Sequence, residues 1–157
     1  MGLQAFGEIT VELDCATAFR FVADPLWLAQ CVPGCQDLRE LSPTRYSAVL
    51  TNKVAYISLR FKVVGEVVRI EPPYVIEVKM TGDSIGVAGH IVATAGLQLA
   101  EEGERHTVIR YTAQVALTGK LGGLGQPVFR AKSAELAREF GVNLKAALEQ
   151  AAVDTKA

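Results

Sequence analysis

Apolar and polar residues alternate with a period of two over much of the chain. The alternation is unbroken in Glu8-Ile9-Thr10-Val11-Glu12-Leu13 and again in Ile57-Ser58-Leu59-Arg60-Phe61-Lys62-Val63. Ile109, Tyr111, Ala113, Val115 and Leu117 are set against Arg110, Thr112 and Gln114, and Ile76, Val78 and Met80 against Glu77 and Lys79. Successive side chains of a strand point to opposite faces, so this pattern describes strands with one dry and one wet face. It predicts seven strands, over residues 4–13, 36–41, 44–55, 57–71, 74–83, 89–101 and 105–118.

The breaks between the later strands are short: Ser42-Pro43, Glu71-Pro72-Pro73 and Glu101-Glu102-Gly103-Glu104. Short breaks permit hairpins and antiparallel pairing, whereas parallel pairing needs long crossovers. One-sided alternation adds that only one face of the sheet is covered.

The period changes at three places. Asp14 can cap a short helix over Ala16 to Ala23, and Asp24-Pro25 opens a second that Pro33-Gly34 ends. A long final helix starts near Pro127 and runs toward residue 151, with Phe129, Leu136, Phe140, Leu144, Ala147 and Leu148 on one face. Twenty-five helical residues span roughly 38 Å, enough to cross a whole sheet.

The order is therefore strand, two short helices, six antiparallel strands and one long amphipathic helix. The physical solution is an α+β fold in which a curved seven-stranded antiparallel sheet wraps the long C-terminal helix, with the two short helices between strands 1 and 2. This is the helix-grip architecture. A curved sheet and a single helix do not close tightly at both ends, which leaves room for a cavity. The expected organisation is one domain over 1–152 and a short tail over 153–157.

Composition narrows the function. Half of the 157 residues are apolar, and 16 Lys and Arg against 17 Asp and Glu leave a net charge of −1. That excludes disorder, and it lacks the basic balance of a nucleic-acid binder. Cys15, Cys31 and Cys35 make an odd count with no secreted disulfide framework, and the N-terminus has no signal-peptide pattern. The uncharged stretch from Ser84 to Ala100 is too short and too glycine-rich for a spanning helix. A cytoplasmic location is expected.

Little in the chain points to polar chemistry. The two histidines, His90 and His106, lie on different elements and no paired cysteine knuckles occur, so no metal site is expected. Cys31-Val32-Pro33-Gly34-Cys35 has three intervening residues where the thioredoxin-type motif has two, and reads as a helix stop and turn. Gly119-Lys120-Leu121-Gly122-Gly123-Leu124-Gly125 lacks the ending of a phosphate loop and reads better as a flexible gate before the final helix. No nucleophile elbow is present.

Four segments together resemble a known family: Gly7-Glu8-Ile9-Thr10-Val11; Cys31-Val32-Pro33-Gly34-Cys35; Arg60-Phe61-Lys62 with Gly65; and Gly119-Lys120-Leu121 with Gly125, running into Ala134-Glu135-Leu136-Ala137-Arg138-Glu139-Phe140. The sequence resembles the carbon monoxide dehydrogenase G-subunit family, within the START/polyketide-cyclase-like (SRPBCC) superfamily. The resemblance implies a helix-grip fold with an internal hydrophobic cavity and no bound metal or prosthetic group. It also implies a role beside molybdenum hydroxylases such as carbon monoxide dehydrogenase, with membrane recruitment and a quinone-like lipid as the associated properties. The chain departs from the family pattern in two places. It stops at Lys156-Ala157, where longer members extend for membrane contact, and it has Val54-Ala55-Tyr56-Ile57 where a Gly-Pro-rich strand is common.

The leading expectation is a binding protein for a hydrophobic small molecule, lipid or quinone-like, accessory to a molybdenum hydroxylase. It would need no cofactor, bind no nucleic acid and touch a membrane at most peripherally. Alternation assigns Ile57, Leu59, Phe61, Val63, Ile76, Val78, Met80, Leu97 and Tyr111 to the sheet side of the ligand site. Phe129, Leu136 and Phe140 supply the helix side, Trp27 and Leu28 the lid, and Tyr111 one oriented hydrogen bond. The alternatives are a cyclase- or hydratase-like enzyme on the same fold, which would need a polar group in the cavity, and an assembly or recruitment factor acting through its surface. No catalytic residue is assigned.

Overall fold

The computed structural model describes residues 2–54, 57–86, 89–119 and 126–156. Strand β1 (Gly2–Val11) is followed by helices α1 (Cys15–Val22) and α2 (Pro25–Ala29). Then come β2 (Cys35–Ser42), β3 (Arg45–Val54), β4 (Ile57–Glu71), β5 (Val75–Ser84), β6 (Gly89–Glu101), β7 (Thr107–Gly119) and α3 (Gln126–Lys156). The seven strands form one sheet in the order β1-β7-β6-β5-β4-β3-β2, and every neighbouring pair is antiparallel. This is the helix-grip fold: an open, curved sheet around a long C-terminal helix.

The two short helices explain why β1 and β2 stand at opposite edges. Asp14 accepts a hydrogen bond from the Thr17 amide at 3.0 Å and Asp24 one from the Leu26 amide at 3.0 Å, so each aspartate caps a helix. Gly34, at φ +78°, then turns the chain into β2. The two caps carry the chain across the sheet before the meander starts. Substituting Asp14 by Ala is expected to cost about 1 kcal/mol, measured by urea unfolding at neutral pH. Hydrogen bonding from Thr17 holds the Asp14 carboxyl below its ordinary 3.8. The contribution is therefore full above the unfolded-state value and is lost as the pH falls through the lowered folded-state value, where D14A and the parent should converge.

Where the elements differ from expectation, a partner strand or a bond decides. Strand β1 covers Gly2–Val11, ending where its last partner Thr107 begins β7. Just beyond, the buried Thr107 hydroxyl donates to the Leu13 carbonyl at 2.7 Å. Helix α3 continues to Lys156 and absorbs the expected tail, with Gln150 donating to Asp154 one turn on at 3.1 Å. In β4 the register shifts between Val67 and Arg69, which swaps the faces, so Ile70 stands opposite Ile76. The edge strand β2 carries two register shifts and Asp37 at φ +52°, an irregular edge that does not invite further pairing.

Helix α3 lies along β1, and the buried side chains form two clusters. One joins α1 and the C-terminal half of α3 to the sheet through Phe19, Val22, Leu97, Ile109, Leu144 and Leu148. The other joins Phe129, in the first turns of α3, to Leu3, Leu59, Phe61, Val63, Ile91 and Leu117.

Candidate functional site

The register shows what lies between the two clusters on the concave face. Ala5 pairs with Ala113, Ala113 with Ala95, Ala95 with Val78 and Val78 with Val67. This row crosses five strands with three alanines and two valines. The row toward one cluster holds Tyr111, Leu97 and Ile76, and the row toward the other runs Leu3, Val115, Ala93, Met80 and Gly65, mixing large and small groups. Ala93 and Leu97, two residues either side of Ala95 on the same face of β6, are buried, while Ala95 itself is exposed. Solvent thus reaches the middle of a face whose flanks are closed. A methyl group reaches less far toward the helix than a leucine, so the alanine row is the thinnest part of this face.

The sequence-expected residues distribute around this row. Leu59, Phe61, Val63 and Phe129 are buried in one cluster, with Met80 packed against it. Ile76 and Leu97 are buried in the other, with Val78, Tyr111, Phe140, Trp27 and Leu28 packed against it. Leu136 is half-buried and belongs to neither cluster. Ile57 is 36% exposed at the sheet end where α3 begins. Trp27 rests on Phe21 with ring centroids 5.4 Å apart, fixing α2 onto α1. The expected gate over 120–125 lies outside the described residues. The alanines 5, 95 and 113 were not among the expected residues. Only Ala113 lay in a clean alternation; Ala5 stands next to apolar Phe6, and Val92 interrupts the pattern before Ala95.

Tyr111 makes its hydrogen bond to the helix. Its hydroxyl donates to the Ala137 carbonyl of α3 at 2.9 Å, and its ring meets Phe140 edge-on at 5.1 Å. The ring crosses Gly7 of β1 and Gly141 of α3, and a Cβ at either glycine would overlap the tyrosine hydroxyl. Two glycines therefore admit the ring that ties the helix to the edge of the sheet. The donor proton is spent on the helix, which leaves the hydroxyl oxygen free only to accept. Burial pushes the phenol above its ordinary 10, so it stays a donor throughout the neutral range. Gly7→Ala is expected to destabilise the fold by about 1–3 kcal/mol through overpacking. In a Tyr111→Leu background the same substitution should cost measurably less, as read by a double-mutant cycle in denaturant.

Other polar groups near the concave face are few. Asn52 reaches the Pro33 carbonyl at 3.4 Å, and the Ser84 hydroxyl, opposite Phe61, is buried without a hydrogen-bond partner among the described residues. The row Ala5-Ala113-Ala95-Val78-Val67 carries no ionisable side chain. Burial raises the Cys31 thiol to about 11, and burial also raises Cys15 and Cys35 above 9.0, so these groups stay protonated and unreactive. His90 sits 2.8 Å from Asp83 on the exposed end of β5 and β6, away from the alanine row. No group of three or more metal-binding side chains occurs among the described residues, and no helix among them is long and apolar enough to cross a membrane.

Comparison with known proteins places this geometry. A conserved protein from Geobacillus kaustophilus superposes with a TM-score of 0.79 at 22% identity, covering 93% of each chain. A START superfamily protein from Mycobacterium smegmatis gives 0.62 at 15% identity, covering 94% of each. The Zhui aromatase/cyclase from Streptomyces sp. R1128 gives 0.54 at 15% identity, covering 96% of this chain and 91% of that one. At these identities the likeness establishes the START-like fold and nothing finer. No curated protein matches the chain in sequence. The model for the carbon monoxide dehydrogenase G-subunit family (CoxG) matches residues 7–149, and the chain belongs to that family.

Proposed function

We propose that this protein binds a hydrophobic small molecule, of lipid or quinone-like class, in the gap between the concave sheet face and α3, as an accessory to a molybdenum hydroxylase of the carbon monoxide dehydrogenase type. The family supports the association, and the START-like fold supports a ligand site at this place. The observation that carries the reading is the solvent-reached Ala95, set between buried neighbours in a row of small side chains. Val78, Met80, Tyr111, Leu136 and Phe140 are half-buried around that row, so a bound molecule would remove their remaining apolar surface from water. Such burial contributes about 25 cal/mol per Å² before ordering costs.

The mechanism is containment. The ligand is held by apolar surface, with few polar groups to orient it, and no proton transfer is assigned to any residue. The protein is read as a binder, with the expected residues around the gap as its ligand-binding set. Native mass spectrometry of the purified protein, with solvent extraction of the bound material, tests this directly. An apolar molecule at near-stoichiometric amount is the expected result. A ligand-free protein whose Trp27 fluorescence ignores both a short-chain isoprenyl benzoquinone and palmitate would sink the reading.

A further inference from the structure

The wet face of the sheet carries a second feature, on the opposite side from the gap. A surface groove of about 740 Å³ runs over β1, β7 and β6 where they approach the start of α3. Gln4, Gln114 and Thr94 are register partners and form a line of hydrogen-bonding side chains across its floor. Ala116 and Val92 lie on one side of that line, and Phe6, 77% exposed, stands on the other. Arg130 of α3 reaches into the groove and makes no ion pair among the described residues, unlike Arg69 and Arg110.

The rest of the wet face is dressed differently. Arg60, Lys62, Glu66, Glu77, Lys79 and Asp83 stud the same side of β4 and β5. The groove floor carries no charge, holds an exposed aromatic ring and has the Arg130 guanidinium at its margin. Uncharged centres with aromatic residues and arginine mark recognition surfaces. The extent decides what kind of occupant fits. Three strands spaced about 4.8 Å apart give a floor roughly 10 Å wide. Gly2 to Phe6 set its length at roughly 13 Å, and the floor of about 130 Å² is far below the area of about 800 Å² per partner that a stable dimer or a folded partner needs. The line from Gln4 to Thr94 instead matches three residues of extended peptide at about 3.3 Å each. Glutamine amides both donate and accept, as a peptide backbone requires.

We infer that this groove binds an extended peptide segment of a partner protein, with apolar side chains against Phe6 and Val92 and a carboxylate against Arg130. The inference does not rest on the ligand gap, which opens on the other face.

The test is an NMR titration of the whole protein with two probes: acetyl-Val-Leu-Asp-Val-amide and the same peptide with Asn for Asp. Amide shifts centred on Gln4, Thr94 and Gln114 are expected, with the acidic peptide binding roughly three- to fivefold tighter, the worth of an exposed ion pair. Arg130→Glu should remove or reverse that preference, and Phe6→Ser should weaken both peptides; both side chains are exposed, so folding is preserved. Absence of shifts at millimolar peptide, equal binding of both peptides, or shifts confined to the concave face would each overturn the inference. Shifts from acetate alone equal to those from the acidic peptide would also overturn it, as marking a simple anion site.

Discussion

Leu148→Ala is expected to cost about 2–5 kcal/mol of stability, the range for deleting a fully enclosed leucine. Leu148 and Leu144 have no exposed surface and lock the C-terminal half of α3 against Ile109 and α1. A loss of that size is a large part of the roughly 5–15 kcal/mol that holds a domain together. The informative comparison is Leu136→Ala, three turns earlier on the same helix. Leu136 is half-buried and joins neither cluster, so its side chain can be cut back without leaving a sealed void. Its removal should cost less than about 1 kcal/mol, because the transfer loss is partial and the cavity penalty is absent. Guanidinium unfolding of both variants reads the difference. Equal losses would mean that the helix is packed alike along its length and that no gap lies under Leu136.

Ala95→Phe carries the second large effect. A phenyl group at the centre of the small-residue row would occupy the space assigned to the ligand. Since Ala95 is solvent-reached, the larger side chain enters a space already open and need not displace its neighbours. Stability is expected to hold within about 1–3 kcal/mol, the usual cost of added bulk. Binding of an isoprenyl benzoquinone, followed by quenching of Trp27, is expected to fall at least tenfold, which is about 1.4 kcal/mol. The control is Ala116→Phe, on the opposite face of the sheet. It should leave quinone binding unchanged. Retained binding by Ala95→Phe with a normal thermal transition would place any ligand elsewhere.

The elements of the fold were readable because each rests on a local rule. Alternation in β4 and β7 set which residues face inward, and short breaks made the strands antiparallel. Asp14 and Asp24 announced their helices because a cap needs only a carboxylate and the next few amides. Element ends were harder. Val11 ends β1 because β7 only begins opposite it, and α3 runs past residue 151 because no breaker stops it. The swap of faces at Val67 is invisible in a strand read alone, since a bulge is defined against the partner.

The candidate site was legible only by its large residues. Leu59, Phe61, Ile76, Leu97 and Phe129 attract notice because they are big and apolar, yet the structure spends them on the two buried clusters. Ala5, Ala95 and Ala113 define the space between, and they lie far apart along the chain. Their alignment depends on the registers of two strand pairings, β1 with β7 and β7 with β6, which no local pattern encodes. Tyr111 shows the same limit. Its inward position follows from alternation, but its partner Ala137 and the two glycines beneath its ring come from β1 and α3.

By itself, the sequence determined the two-faced strands, the capped short helices, the amphipathic final helix and thereby the architecture, together with the scarcity of polar groups on the inward positions. These follow from interactions within a few residues of the chain, where spacing alone decides the face. The tertiary structure decided where the inward face is filled and where it is open. That is a matter of which side chains from distant strands meet in one row and how far they reach toward the helix. Packing is a property of neighbours in space, and here it aligns three ordinary alanines in one row and leaves Ala95 open to solvent.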